Sequence, residues 1–205
     1  MSDANQVVAF EEVVRRLAHH PLNEGLASRI IAIDGPGGAG KSVFAERLAR
    51  AFGCPPVAHT DDFASWHEPL DWGPRFLDEV LRPLAAGRPA RHRRYDWERH
   101  TLGDWVATPA SATVIVEGVG SSRMAFRPYL HAAIWIETRR AVRLARGLAR
   151  DGEAMLGQWE QWMAEEDRYI SRERPDLRAD LVVSGSPTVA HNAEREVEVL
   201  RIGNV

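Results

Sequence analysis

The sequence predicts an α/β domain with a parallel sheet covered by helices on both faces. Three observations carry this reading. Short apolar runs recur at Ile30-Ile31-Ala32-Ile33, Thr113–Val116, Ala133–Ile136 and Leu181-Val182-Val183. Such unbroken, β-branched hydrophobicity belongs to strands buried on both faces. Stretches of helical period alternate with these runs, as parallel sheets require. A glycine-rich segment, Gly35–Gly40, stands between the first run and the helical stretch after it.

Taken in order, residues 7–20 place Val7, Phe10, Val13, Val14 and Leu17 at a helical period, which predicts a leading amphipathic helix in an N-terminal extension over 1–27. Ile30–Ile33 is a buried strand. Lys41–Phe52 follows as a helix, stopped by Gly53. Pro56–His59 reads as a second short strand. Pro74–Ala86 reads as a helix, with Pro at its start and Gly87 just beyond its end. Residues 88–110, rich in Arg, Trp and Pro, read as an irregular insertion. Thr113–Val116 and Ala133–Ile136 are strands, and Thr138–Arg150 is a basic helix. Over 153–173, Met155, Leu156, Trp159, Trp162, Met163, Tyr169 and Ile170 fall at helical spacing, which favours core packing for the tryptophans. Residues 138–175 together form a helical lid and the helix after it. Leu181–Val183 is the last strand, and 189–200 a closing helix. The expectation is one domain over 1–205 with a parallel five-stranded sheet.

Bulk properties exclude several classes. A chain of 205 residues buries a full core without staples. The net charge of −3 lacks the basic surplus of a nucleic-acid binder. No apolar run approaches the ~18 residues that span a bilayer. The start, MSDANQ, lacks the order of a signal peptide. Cys54 is the single cysteine, so no internal disulfide forms, and a cytoplasmic setting follows as the simplest reading.

Gly35-Pro36-Gly37-Gly38-Ala39-Gly40-Lys41-Ser42 fits G-x-x-x-x-G-K-[ST] in full, between a strand and a helix. The expected fold is therefore a P-loop NTPase three-layer sandwich. Glycines reach conformations closed to other residues and bring N–H groups close to phosphate oxygens. Those amides and the helix start, through Val43, form an anion site. Lys41 is expected on the β- and γ-phosphates, and Ser42 on magnesium. The loop alone does not separate kinase, GTPase and ATPase.

On the acceptor side, His59-Thr60-Asp61-Asp62-Phe63 follows the second strand, where ligands of parallel sheets bind. An Asp there can take the proton of an attacking hydroxyl or simply cap a turn. Glu117 ends the run Val114-Ile115-Val116-Glu117-Gly118, and because an unpartnered strand-end carboxylate is costly to bury, it suits a charged site or a solvated strand end. Arg139, Arg143, Arg146 and Arg150 share one helix face. A row of like charges makes sense against a polyanion.

Phosphate loop, T-D-D-F and E-G in this order resemble the uridine kinase-like family, which includes uridine–cytidine, nicotinamide riboside, pantothenate and phosphoribulose kinases. The resemblance covers about residues 28–185. It implies that Asp61 is the catalytic base or metal-shell carboxylate of the D-x-F element, with Phe63 as its Phe. Tyr95-Asp96-Trp97-Glu98-Arg99-His100 resembles the family's Y-D-F-x-x-H segment, which implies contacts from Tyr95 and His100 to the acceptor. Glu117 matches the E-G element, which implies a place near the metal and the acceptor, opposite Asp61. Leu144–Asp151 resembles the lid helix, which makes Arg146 and Arg150 the candidates for the triphosphate or the transferred group. Asp71 matches a ribose-binding Asp, offset by one residue. Trp66 and Trp72 are candidates for stacking on a planar acceptor, although single tryptophans more often pack. The lid lacks the family's further Arg-rich stretch, and Asp151-Gly152-Glu153 stands there instead.

These features predict ATP and Mg2+ as cofactors and a small-molecule hydroxyl as acceptor, most simply a nucleoside. They predict no nucleic-acid or membrane partner and leave the oligomeric state open, a homo-oligomer included. The loop also resembles that of cytidylate kinases, but the segment after it does not. The N-K-x-D element of GTPases is absent. An ATP-hydrolysing regulatory module and a kinase of another metabolite or antibiotic remain as alternatives.

Overall fold

The computed structural model describes residues 6–19, 22, 24–65 and 69–203. A seven-stranded sheet runs in the order β1-β9-β8-β7-β2-β6-β3. Its centre is β2 (Arg29–Asp34), which pairs in parallel with β6 (Thr113–Glu117) and with β7 (Ala132–Glu137). β3 (Val57–His59) lies parallel beyond β6, and β8 (Leu181–Ser184) parallel beyond β7. These are the five parallel strands expected. Two antiparallel strands extend the sheet at one edge: β9 (Glu196–Ile202) on β8, and β1 (Gln6–Ala9) on β9.

Both added strands correct helical expectations. Residues 196–202 form a strand where a closing helix was expected over 189–200. The alternation Glu196-Val197-Glu198-Val199 has period two, and Val197 and Val199 are buried in the core. The leading helix α1 begins only at Phe10 and ends at His19, because Val7 and Val8 are taken by the edge strand. The Phe10 amide closes that junction on the Arg195 carbonyl at 2.8 Å.

The two faces of β2 explain its unbroken apolar run. Ile31 and Ile33 face a core made with Phe10, Leu17, Phe44 and Leu48 of α1 and α2 (Lys41–Ala51). Ile30 and Ala32 face a second core with Phe76, Leu81, Leu84 and Phe126. The expected helix over 74–86 is present as α3 (Gly73–Phe76), a π-helical segment (Leu77–Leu81) and α4 (Arg82–Ala85).

Residues 88–110, expected to be irregular, contain a β-hairpin of β4 (Ala90–Asp96) and β5 (Thr101–Thr108). Its alternation escaped a hydrophobicity reading because the inward positions of β4 are Ala90 and His92 while arginines face out. The basic helix is α5 (Arg140–Asp151), followed by α6 (Leu156–Glu173) and the short α7 (Pro175–Arg178). Trp159, Met163 and Tyr169 of α6 are buried, in keeping with packing. Trp159 nests against Gly147 of α5, where a Cβ would overlap its indole. No helix among the described residues is long and apolar enough to cross a membrane.

Candidate active site at the phosphate loop

The carboxyl ends of β2, β6 and β3 deliver the loop, Glu117 and the T-D-D-F turn to one end of the sheet. Asp34, the last residue of β2, is fully buried and anchors this end. Its Oδ1 accepts the Gly35 and Gly120 amides at 2.7 and 2.8 Å. Its Oδ2 accepts the Ser122 amide, the Ser122 hydroxyl and the Tyr169 hydroxyl at 3.0, 2.7 and 2.7 Å. Burial, with the Asp34 charge, drives the Tyr169 pKa well above its ordinary value. Tyr169 therefore stays a neutral donor. Asp34 was not among the sequence candidates, though a charged residue closing an apolar strand before a glycine loop is a legible signal.

Gly38 takes φ +72°, and a Cβ there would lie 2.6 Å from the Arg143 carbonyl. The lid helix thus lies directly on the loop. Lys41 starts α2, is buried, and donates from Nζ to the Pro36 carbonyl at 3.1 Å. The Val43 side chain is exposed on the first turn, so only its backbone is turned to the helix start.

Across the loop, the Ser42 hydroxyl donates to Glu117 Oε1 at 3.3 Å. His59 Nδ1 lies 2.9 Å from Glu117 Oε2. This hydrogen bond raises the His59 pKa, opposed by burial and helped by the charges of Glu117, Asp62 and Asp61. A protonated His59 would leave Glu117 better neutralised. Gly118 follows with φ +136°, and a Cβ there would overlap the Thr60 hydroxyl, so this glycine lets the two turns meet. The buried Thr60 hydroxyl donates onward to the Val119 carbonyl at 3.2 Å.

Asp61 keeps exposed surface at the rim of this crowded end. Desolvation raises its pKa, Lys41 lowers it, Glu117 raises it, and His59 and Arg150 lower it. The loop lysine, the strand-end glutamate, the turn aspartate and one lid arginine therefore share one electrostatic neighbourhood. Asp62 turns away and pairs with the buried His92 of β4 at 2.8 Å. Phe63 is buried among Trp72, Phe76 and His92, with Arg75 over its ring. It underpins the turn rather than facing solvent. Trp72 is likewise buried against Phe126 with Arg123 above it, the packing role rather than the stacking one. Trp66 lies outside the described residues. Asp71 is exposed.

Tyr95 and Trp97 meet edge to face at 5.1 Å, and Trp97 meets Trp162 of α6 at 6.0 Å. His100 is exposed at the hairpin turn with φ +53°. The arginine row divides. Arg150 pairs with Asp151 at 2.8 Å and acts on Asp61. Arg146 donates to the Gly38 and Gly185 carbonyls at 3.2 and 2.9 Å, so its guanidinium is spent on the carbonyl side of the loop. Arg143 is buried and pairs with Glu166 at 3.1 Å. Glu166 also accepts the Gly37 amide at 2.7 Å and the Trp162 indole N–H at 2.9 Å. Neither Glu166, His59 nor His92 was a sequence candidate, since each acts through a partner far away in the chain.

Donor chemistry fits the groups expected here. The loop offers amides at a helix start, which suit a triphosphate. Magnesium takes one or two carboxylates plus phosphate oxygens and water, and Ser42 beside Glu117 supplies such a set. Among the described residues no three His, Cys, Asp or Glu side chains form an all-protein metal cage.

No family model matches the chain, and no curated protein matches it. Solved structures do. One is described as a "possible uridine kinase" from Bacillus stearothermophilus: 21% identity, 83% of this chain and 98% of that one covered, TM-score 0.59. Another is described as a "putative fructose transport system kinase" from Silicibacter sp. TM1040: 15% identity, 81% and 95% covered, TM-score 0.65. The fold is that of the P-loop kinases. Both neighbours are covered almost end to end, and the first agrees with the uridine kinase resemblance of the motifs.

Proposed function

We propose that this chain is an ATP- and magnesium-dependent kinase that transfers the γ-phosphoryl group to a hydroxyl of a small metabolite, with a nucleoside as the leading acceptor. The observation that carries the reading is the shared neighbourhood of Lys41, Asp61 and Glu117 at the strand ends, with Ser42 hydrogen-bonded to Glu117. An aspartate beside the loop lysine, with a strand-end glutamate on the loop serine, is the set that positions magnesium and an attacking hydroxyl.

In this reading the amides of Gly37–Ser42 and Lys41 hold the triphosphate. Ser42 and Glu117, with Asp61, hold magnesium, which when bound neutralises charge on the β- and γ-oxygens. Asp61 accepts the proton of the acceptor hydroxyl. The acceptor oxygen forms its bond to the γ-phosphorus as the bond to the β–γ bridging oxygen breaks, and ADP leaves. Desolvation makes Asp61 a stronger proton acceptor than an ordinary aspartate. Arg150 neutralises charge at the rim. Tyr95 and His100 contact the acceptor from the hairpin, and Asp71 from the turn before α3.

The test is ADP release from ATP and magnesium with uridine, cytidine, nicotinamide riboside, pantothenate, cytidine monophosphate, fructose and hydroxylated antibiotics in turn, with products read by mass spectrometry. One phosphorylated nucleoside supports the leading acceptor, and a different phosphorylated product reassigns it. Hydrolysis with no phosphorylated product across the panel favours the ATP-hydrolysing module instead.

A further inference from the structure

We infer that Glu166 is a positioning residue of the phosphate loop, acting through a single peptide unit on Lys41. The inference rests on the nucleotide-binding reading of the loop and deepens it.

The peptide unit between Pro36 and Gly37 is held at both ends. Its N–H donates to Glu166 Oε1 at 2.7 Å. Its C=O accepts the Lys41 ammonium at 3.1 Å and the Ala39 amide at 3.1 Å. A planar peptide cannot turn one end without turning the other. Glu166 therefore fixes the carbonyl that anchors Lys41. The lysine ammonium carries three donors, so one held by Pro36 leaves two for phosphate oxygens.

Among the described residues, Glu166 is the side chain that holds the N–H end of this plane, opposite Lys41 at the carbonyl end. Gly37 and Gly38 have none of their own, and glycine backbone is the most permissive in the chain. Glu166 is itself fixed. It is 0% exposed, and its two oxygens are occupied by Gly37, Trp162 and Arg143. The approach is close: a Cβ on Gly37 would stand 3.0 Å from Glu166 Oε1 and 3.3 Å from Trp159. Glu166 and Trp162 belong to α6, Arg143 to α5, so the carboxylate ties both lid helices to the start of the loop. Pre-set donors bind without an ordering cost at the moment of binding. Without Glu166 the first turn of the loop must be ordered by the phosphates themselves.

The test measures binding of ATP with magnesium by calorimetry to the wild type, Glu166→Gln and Glu166→Ala, in the full chain. Each variant is also melted to confirm a folded state. The amide of Glu166→Gln keeps the volume but cannot accept from Gly37 and Arg143 together. Both variants should bind ATP roughly tenfold more weakly, the size that outer-shell partners carry at comparable sites. The same Glu166→Gln change in a Lys41→Met background should cost less than twofold, because its effect runs through Lys41. A merely structural glutamate lowers the melt and the affinity alike in both backgrounds, and that result overturns the inference. Unchanged affinity in folded Glu166→Gln overturns it too, as does tighter binding, which would mean that the carboxylate competes with phosphate. A wild type that binds no ATP sinks the nucleotide reading itself, a distinct failure.

Discussion

Between Gly35 and Ser42 the chain is held by backbone groups and buried charges, while the β4–β5 hairpin is held at its base by Ala90 and His92 in the second core and leaves its far half exposed. The loop lies under α5, is tied to Asp34 and Glu166, and packs against buried indole. The hairpin presents Leu102 and Trp105 to solvent, with Arg91 over Trp105. Its fixed points are the Asp62–His92 pair and the Trp97–Trp162 contact. Two-stranded ribbons are marginal without such ties. Nucleotide chemistry needs one geometry, and the loop is built to keep it. The hairpin's outward side chains are exposed and can change without disturbing the core.

Four measurements sharpen or break this contrast. The largest effect belongs to Asp61→Asn, which should lower phosphoryl transfer by about 10²–10⁴-fold, the usual weight of a positioned proton acceptor. ATP affinity should hold. Unchanged turnover would remove Asp61 from the chemistry and leave the loop as a nucleotide holder.

Next in size is Gly118→Ala. The new methyl meets the Thr60 hydroxyl at a glycine with φ +136°. Overpacking of this kind costs roughly 1–3 kcal/mol, and the backbone adds strain. A melt several degrees lower is expected. An unshifted melt would show that the turns carrying Asp61 and Glu117 are looser than the loop.

His100→Gly addresses the hairpin. His100 sits at φ +53°, where glycine is at ease, so the change removes the ring without straining the turn. The acceptor KM should rise by about an order of magnitude or less, as one hydrogen bond allows, with the ATP KM unmoved. A change in ATP affinity alone would take His100 out of the acceptor pocket.

The smallest effect is a pH dependence of stability without metal or nucleotide. Desolvation raises the Asp61 pKa, so the fold binds that proton more tightly than the unfolded chain does. The contribution is fully present below the ordinary aspartate pKa. It is lost as pH rises through the raised value. Asp61→Asn should therefore melt no lower than the wild type at pH 7, and its relative advantage should shrink in acid. A mutant that melts lower at neutral pH, and recovers in acid, would reverse the sign.

Legibility followed the range of the interactions. The strand, loop and helix of 29–51 were readable because phosphate binding by backbone needs glycines, a lysine and a hydroxyl at fixed local spacing. The D-D-F and E-G elements were legible only through the family resemblance, and that Gly118's missing side chain lets two turns touch came from the structure. The edge strands were not legible. Val7 fits a helical period as well as a strand, and only the partner Glu198 makes it β1. The hairpin was hidden because a strand with Ala and His on its inner face carries no hydrophobic alternation.

By itself, then, the sequence determined the loop and the five parallel strands, since each is written in neighbours a few positions apart. The resemblance singled out Asp61, and only the tertiary structure decided that Asp62 pairs with His92. It alone divided the lid arginines among Asp61, the loop carbonyls and Glu166. It alone set Glu166 on Gly37, 129 residues away. Hydrogen bonds and buried charges select partners by proximity in space, and no local pattern encodes that proximity.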